Sequence, residues 1–357
     1  MPKVSIITPV YNVDKFLCQC LNSIINQTLQ EIEIICINDG SIDSSLSILK
    51  EFMEHDSRIV LINKINCGYG AAMNDGLSRA TGEYIGIVEP DDFVDNNMFQ
   101  ILYSTAKQYQ ECPDIVKAAY WEYQQKDGET VKKAAPILNI DPPCNPFNIY
   151  QFPDILNYHP CTVTAIYRHE FLEEKGIRYI EAAGAAWTDN PFFFSTMCQA
   201  KSIVWVPSCL YYYRQDNPGA SSYLKDCRIP FRRLTEVFDF IETSKISDER
   251  VLTCLYKRVF LYYNGVLSNP HYSRNTVRPI IKSVMLRIQP DLLNNEIFNR
   301  LERYYYKNII LDKSIVFENK YWAKINSCIP NKILKIIQCF LEHGIIYTFQ
   351  YIYKKIF

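Results

Sequence analysis

Short apolar runs alternate with helix-spaced apolar stripes through the first hundred residues, the sequence form of a parallel sheet wrapped by helices. Val4–Thr8 reads as a buried strand. Asp14–Gln27 follows, with Phe16, Leu17, Cys20, Leu21, Ile24 and Ile25 on one helical face. Ile32–Ile37 is a continuous apolar run, as expected for a strand covered on both faces. Ser41 or Ser44 stands where a residue would cap a helix running to about Met53. A third strand over Ile59–Asn63, a helix over Tyr69–Ala80 stopped near Gly82, and a fourth strand over Glu83–Val88 complete a doubly wound half. Phe93–Tyr103 reads as the next helix.

From Asp114 the alternation loosens. Ile115–Tyr123 is strand-like, Pro136–Pro153 is a Pro-rich loop, and strands at Thr162–Tyr167 and Ile203–Tyr213 flank a helical segment that begins near Thr188. Beyond Tyr223 the pattern is mostly helical. The expectation is an α/β fold: a mostly parallel sheet flanked by helices, with a mostly helical C-terminal region. Residues 1–110 and 111–222 form two halves of one domain in this reading, and residues 223–357 form the helical region.

Composition narrows the functional classes. Of 357 residues, 48% are hydrophobic and 22% charged, values of a globular chain that buries a sizeable core. The net charge of -1 conceals a split, because residues 251–357 hold 16 Lys and Arg against 6 Asp and Glu. The first 250 residues are therefore acidic, which opposes a chain-wide nucleic-acid surface. The 13 cysteines are irregularly spaced without a C-x-x-C pair, and read as small core residues in a reducing cytosol. No signal peptide precedes Val4, and no apolar stretch is long enough to span a membrane.

In open sheets of this kind ligands bind beyond the carboxyl ends of the strands. Three polar clusters occupy those positions: Thr8-Pro9-Val10-Tyr11-Asn12, Asn38-Asp39-Gly40-Ser41 and Glu89-Pro90-Asp91-Asp92. Tyr11 offers a stacking face and Asp39 an acceptor for a base N–H or a ribose hydroxyl. Paired carboxylates repel unless a cation or donors lie between them, so Asp91 and Asp92 suit Mg²⁺ or Mn²⁺ shared with substrate phosphates. Alone, the pair also fits a solvated turn and helix cap. Gly68-Tyr69-Gly70 has the start of a dinucleotide fingerprint, but position 73 is Met where the third Gly would fall. His159 before Pro160 is assigned no role.

On these motifs the chain resembles the family 2 glycosyltransferases, nucleotide-sugar enzymes of GT-A fold. The matching residues are Val4–Asn12, Asn38–Ser41, Asn74 with Gly76, Ala80-Thr81-Gly82-Glu83-Tyr84-Ile85, and Asp91-Asp92, in the family's order. The resemblance covers about residues 1–110 and, more thinly, 160–222. It implies an inverting transfer of one sugar from a nucleoside-diphosphate donor, uridine by family expectation, to a hydroxyl of a glycan or lipid-linked oligosaccharide in surface polysaccharide assembly. It further implies that Pro9, Tyr11 and Asn12 line the base pocket, Asp39 grips the base, Asn74 contributes donor contacts, and Asp91 meets the ribose. Asp92 would hold the Mn²⁺ or Mg²⁺ that bridges the diphosphate.

Two positions depart from the pattern. The usual D-x-D-D reads Glu89-Pro90-Asp91-Asp92, and Met73 stands where relatives often have Arg. Trp187-Thr188-Asp189-Asn190 is similar to the family's Glu-Asp motif at a helix start, with Thr188 replacing Glu, which makes Asp189 the implied catalytic base. The alternative is an ordinary helix-start carboxylate, favourable against the dipole. Arg214, at the end of a strand and before the Gln215–Ser222 loop, is placed near the diphosphate, with that loop either closing over it or merely connecting to the helical region.

The basic remainder holds 18 aromatic residues, and Lys332–Phe357 mixes apolar residues with Lys332, Lys335, Lys354 and Lys355. It reads either as a peripheral contact with an anionic membrane from the cytoplasmic side or as a helical appendage that packs on the body or forms a homodimer. Absent spanning helices and a Gln-x-x-Arg-Trp motif argue against a processive synthase. A GT-A module that binds donors without turnover is the competing function.

Overall fold

A computed structural model describes residues 1–312 except 127, 184–186, 219–225, 269–271 and 273. The basic segment 332–357 and the end of the 215–222 loop lie outside these residues. The chain divides into two compact units, Met1–Val251 and Leu252–Phe357.

The first unit is built on one nine-stranded sheet. Strand β1 (Val4–Val10) is central to its N-terminal half and pairs in parallel with β2 (Ile32–Asp39) and β4 (Tyr84–Ile87), while β3 (Ile59–Lys64) extends β2 in parallel. All seven residues of β1 and all eight of β2 are buried, because helices cover both sheet faces. The covering helices in this half are α1 (Asp14–Ile25), α2 (Ser45–His55) and α3 (Tyr69–Arg79). In α1 the buried positions are Leu17, Cys20, Leu21 and Ile24, the stripe the sequence pattern gives.

The second half mixes directions. A short β5 (Phe93–Val94) and helix α4 (Met98–Ala106) precede the long β6 (Ile115–Lys126), its hairpin partner β7 (Glu129–Ala134), β8 (Ala165–Arg168) and β9 (Ile203–Arg214). β8 is antiparallel to both β4 and β6, whereas β6 and β9 run parallel through a register shift between Ala118 and Tyr120. Helices α5 (His169–Glu174), α6 (Asp189–Gln199) and α7 (Ile229–Thr243) complete the unit.

Several expectations shift. Phe93 and Val94 pair with Tyr212 and Tyr211 instead of starting a helix, which begins at Met98. The expected strand at Thr162 starts at Ala165, after a 3-10 turn over Thr162–Thr164. Ser44 is at the N-cap of α2 but makes no side-chain cap bond, and Ser41 instead accepts the Asn12 backbone N–H. The Pro-rich loop is tied to the sheet edge by reciprocal backbone bonds between Phe147 and Ile203. β7 and α5 have no counterpart in the sequence reading, since β7 is an almost fully exposed hairpin arm and α5 only six residues long.

The second unit is helical over its described residues, as expected: α8 runs Glu249–Ser268, α9 Arg274–Met285 and α10 Arg300–Ile310. Asn299 and Glu302 form a capping box at the start of α10, and Lys257 reaches Glu302 at 2.8 Å. No described helix is long and apolar enough to cross a membrane.

Candidate functional site

β1 and β2 lie in register to their carboxyl ends, Val10 opposite Asn38, so the loops that follow leave the sheet at one edge. Asn12 sits at φ 49° and stitches them together: its N–H donates to Ser41 Oγ at 3.1 Å, and its Oδ1 accepts the Ile42 N–H at 2.8 Å. Gly40 turns the second loop at φ 72°. A Cβ there would stand 2.7 Å from the Asn66 nitrogen, so only glycine fits. Asp39, 3% exposed, accepts the Cys67 and Gly68 N–H groups at 2.9 Å each, one on each carboxylate oxygen. It thereby shapes the approach to α3. Pro9 is buried inside β1, while Tyr11 leaves its ring 51% exposed at the same edge.

The acids follow β4. Asp92 is 2% exposed; Tyr211 Oη donates to one of its oxygens at 2.8 Å and the Arg214 N–H to the other at 2.7 Å. Asp91 is half-buried and accepts from Asn217 Nδ2 at 2.8 Å, while its backbone carbonyl takes the Arg214 Nε–H at 2.7 Å. Glu89 accepts from Tyr69 Oη at 2.5 Å. Burial, with added repulsion from Asp91 and Asp189, pushes the Glu89 carboxyl up to about 8 despite that bond. Burial, with Asp91 next, also drives Asp92 well above the usual carboxylate range. Glu89 feels the charges of Asp91 and Asp189, and Asp92 those of Asp91 and Glu89, so the four acids gather in one region.

Asp189 stands in the first turn of α6, half-buried, with Asn190 Nδ2 at 3.1 Å from Oδ1. Trp187, at φ 59°, turns the chain into that helix. Just upstream, the Asn74 side chain behaves as a strand partner for Tyr179: its Oδ1 accepts the Tyr179 N–H and its Nδ2 donates to the Tyr179 carbonyl, both at 2.9 Å. The same Nδ2 reaches Glu181 at 3.0 Å. A Cβ on Gly70 would fall 2.0 Å from the Ile180 carbonyl oxygen, so α3 lies directly against this segment.

The comparisons with known proteins address this region. Residues 5–176 match the model of glycosyl transferase family 2. Apart from Val4, strands β1 to β8 lie within the matched residues, as do Glu89, Asp91 and Asp92, whereas β9 and Asp189 lie beyond them. An uncharacterized glycosyltransferase, EpsJ, of Bacillus subtilis is 34% identical over 229 residues, spanning 62% of this chain and 63% of that protein. The poly(ribitol-phosphate) beta-glucosyltransferase of Bacillus spizizenii is 39% identical over 112 residues, 30% of this chain and 18% of that relative. The chain thus spans less than two thirds of the length of these relatives. Among solved structures, S. aureus TarS 1–349 in complex with UDP-GlcNAc superposes with a TM-score of 0.71 at 17% identity, over 87% of this chain and 88% of that one. The likeness establishes a shared fold.

Against the residue expectations, the fold brings Pro9, Tyr11, Asn12 and Asp39 to one edge, and Asp91, Asp92 and Asp189 to one acid cluster. Three side chains have partners that the sequence does not reveal. Both Asp92 oxygens already accept protein donors in a buried setting, so Asp91 is the more open carboxylate of the pair. Arg214 is 7% exposed, with Nη2 on Gln19 and its guanidinium 4.7 Å from the Phe16 ring centroid and 5.2 Å from that of Tyr123. It braces the site from within instead of offering an open cation. Asn74 is committed to Tyr179 and Glu181. Gln215–Pro218 continues from β9 and supplies Asn217 to Asp91.

The sequence pattern assigns no role to Tyr69 or Lys117, and it places the Tyr211–Arg214 run near the donor without showing that Tyr211 holds Asp92. Lys117, 1% exposed, donates to the Cys161 carbonyl at 2.7 Å and to Thr164 Oγ1 at 2.8 Å, and burial lowers its ammonium to about 8. A lone Lys inside the apolar run Ile115–Tyr123 was its only trace in the sequence.

Proposed function

We propose that the protein transfers one sugar, by inversion, from a uridine-diphosphate donor to a hydroxyl of a glycan or lipid-linked acceptor, in polysaccharide or teichoic-acid-type assembly. The carrying observation is the convergence of Asp91, Asp92, Glu89 and Asp189 at the carboxyl edge of a sheet whose first two loops present Tyr11 and Asp39. The family 2 match, and the UDP-GlcNAc held by a protein of the same fold, support this reading.

In this mechanism Tyr11 stacks on the base, while Pro9 and Asn12 set the loop and Asp39 holds the pocket wall through Cys67 and Gly68. Asp189 takes the proton from the acceptor hydroxyl as its oxygen bonds to the anomeric carbon; the bond to the diphosphate oxygen breaks, and the electron pair leaves with UDP. Tyr211 and the Arg214 backbone hold Asp92, and Asn217 orients Asp91 beside the ribose and diphosphate.

The donor set fits a divalent cation. It consists of hard carboxylate oxygens, and burial, with repulsion among the acids added to it, raises Glu89 and Asp92, a cost that a cation would relieve. Among the described residues no three His, Cys, Asp or Glu side chains form a ready-made cage, which suits Mn²⁺ or Mg²⁺ completing its shell with phosphates and water. Asp91, helped by Asp92, would hold it, and the ion would neutralise charge on the departing diphosphate.

The test is release of UDP from UDP-GlcNAc and UDP-glucose with Mn²⁺, alongside UDP binding by calorimetry. Asp189→Asn should lose turnover by about 10²–10⁴-fold while binding UDP as wild type does. Undiminished turnover in that variant removes Asp189 from the mechanism. Donor binding without turnover in the wild type, whatever acceptor is added, would identify a binding module instead.

A further inference from the structure

The face of β9 that carries Tyr211 also carries Tyr213, two residues on. Tyr213 also feels the charges of Asp92, Asp189 and Asp91, so its ring lies near the acid cluster. The His159 ring meets it at 5.7 Å between centroids, tilted 37°, and buried Tyr120 props it edge-on at 6.0 Å. His159 is exposed and Tyr213 half-exposed.

This pair is held in place from beneath. The Cys161 N–H donates to His159 Nδ1 at 3.3 Å, which puts the proton of the neutral ring on Nε2. Cys161 is itself in the left-handed region at φ 33°, a conformation that a non-glycine residue keeps only under constraint, and Lys117 supplies one by gripping its carbonyl. A buried lysine thus fixes the turn that sets the angle of an exposed aromatic pair.

We infer that His159 and Tyr213 form a subsite for the acceptor: a pyranose ring packed by its C–H face against these two aromatic rings, with its hydroxyls at their rim. The inference rests on the transferase reading, which requires an acceptor hydroxyl to reach Asp189. It adds the chemical class of the group beside that hydroxyl, a ring with an apolar C–H face and hydroxyls at its rim, and not a bare polyol phosphate chain.

The probes are methyl β-D-glucopyranoside, methyl β-D-galactopyranoside and methyl 2-acetamido-2-deoxy-β-D-glucopyranoside, read by saturation-transfer NMR on the full chain with and without UDP and Mn²⁺. Wild type should saturate ring protons of at least one glycoside. His159→Ala and Tyr213→Leu should weaken that binding by about two- to tenfold, the worth of one aromatic contact, with UDP affinity unchanged, and Tyr213→Phe should retain it. His159 is exposed, so its variant reports on the subsite independently of folding. No saturation of any glycoside by wild type, or wild-type binding by His159→Ala, overturns the subsite. UDP that fails to bind wild type instead counts against the donor reading, which the glycoside measurement without UDP does not depend on.

Discussion

Lys117 and the acid pair show how much a single side chain here depends on what surrounds it. Burial disfavours the charge of the Lys117 ammonium and lowers it to about 8 in the folded chain, against an ordinary value of 10.5. Between those values the unfolded chain binds more protons, so stability rises with pH across this window and the penalty is fully present below it. Lys117→Met removes the titration. Urea melts of the two proteins should show wild type gaining about 2–3 kcal/mol on the variant between pH 7 and pH 10; a difference that does not change with pH would mean that the amine is not desolvated.

The carboxylates make a second residue-scale prediction. Asp91→Asn should weaken Mn²⁺-dependent UDP binding by about tenfold or more with little loss of stability, whereas Asp92→Asn, which disturbs the bonds from Tyr211 and the Arg214 N–H, should lower the melting temperature as well. Calorimetry with differential scanning separates the two. Reversed phenotypes would return the ion to Asp92.

At the scale of elements, α3 joins the Asp39 loop to the segment that leads to Asp189, the donor side and the base of the proposed mechanism. Its N-terminal approach is organised by Asp39, and its body holds the 179–181 segment through Asn74. Asn74→Ala strands the buried Tyr179 amide and carbonyl, at about 1–3 kcal/mol. It should cut kcat while UDP affinity stays near wild type, because the disturbed segment leads to Asp189 and not to the base pocket. Equal losses of UDP affinity and kcat would return Asn74 to the donor site. Gly70→Ala should destabilise by about 1–3 kcal/mol through the clash with the Ile180 carbonyl, measured by urea denaturation.

These elements were unevenly legible. Strands β1 and β2 and helices α1 and α3 stood out because both-faced burial writes continuous apolar runs and one-sided burial writes a clear stripe, while the half-buried β3 showed as a short apolar run. β5 was hidden: two residues cannot display a period, and Phe93 and Val94 gain their strand pairing from β9, more than a hundred positions away. The same distance hid the partners of Asp92 and Asn74, since Tyr211 and Tyr179 are neighbours only after the sheet has formed. Asp39 and Asp189 could be singled out because they sit at element ends, where local pattern and location coincide.

Across the whole molecule the charge asymmetry is the largest unspent feature. The acidic first 250 residues suit the gathering of a cation, while the basic remainder, whose segment 332–357 lies outside the described residues, carries a surplus that we propose faces an anionic lipid surface. Flotation with phosphatidylglycerol vesicles should carry the full chain upward at low salt and release it at about 0.5 M, where screening shortens the reach of charge to a few ångströms. Equal partitioning by a chain shortened before Lys332 would leave that segment to packing or self-association.

The irregular register between β6 and β9 has a further bearing on how such sequences diverge. Val206 faces Ala118, but Cys209 faces Ala119 and Tyr211 faces Tyr120, so three extra residues of β9 are absorbed over these two steps. Loss of a single residue at Pro207 or Ser208 would present Tyr212 where Tyr211 now meets Asp92 and turn the remaining side chains inside out. Length there is therefore far less free to drift than composition, and homologues with an odd-numbered gap at this point should have rebuilt the floor beneath their acids.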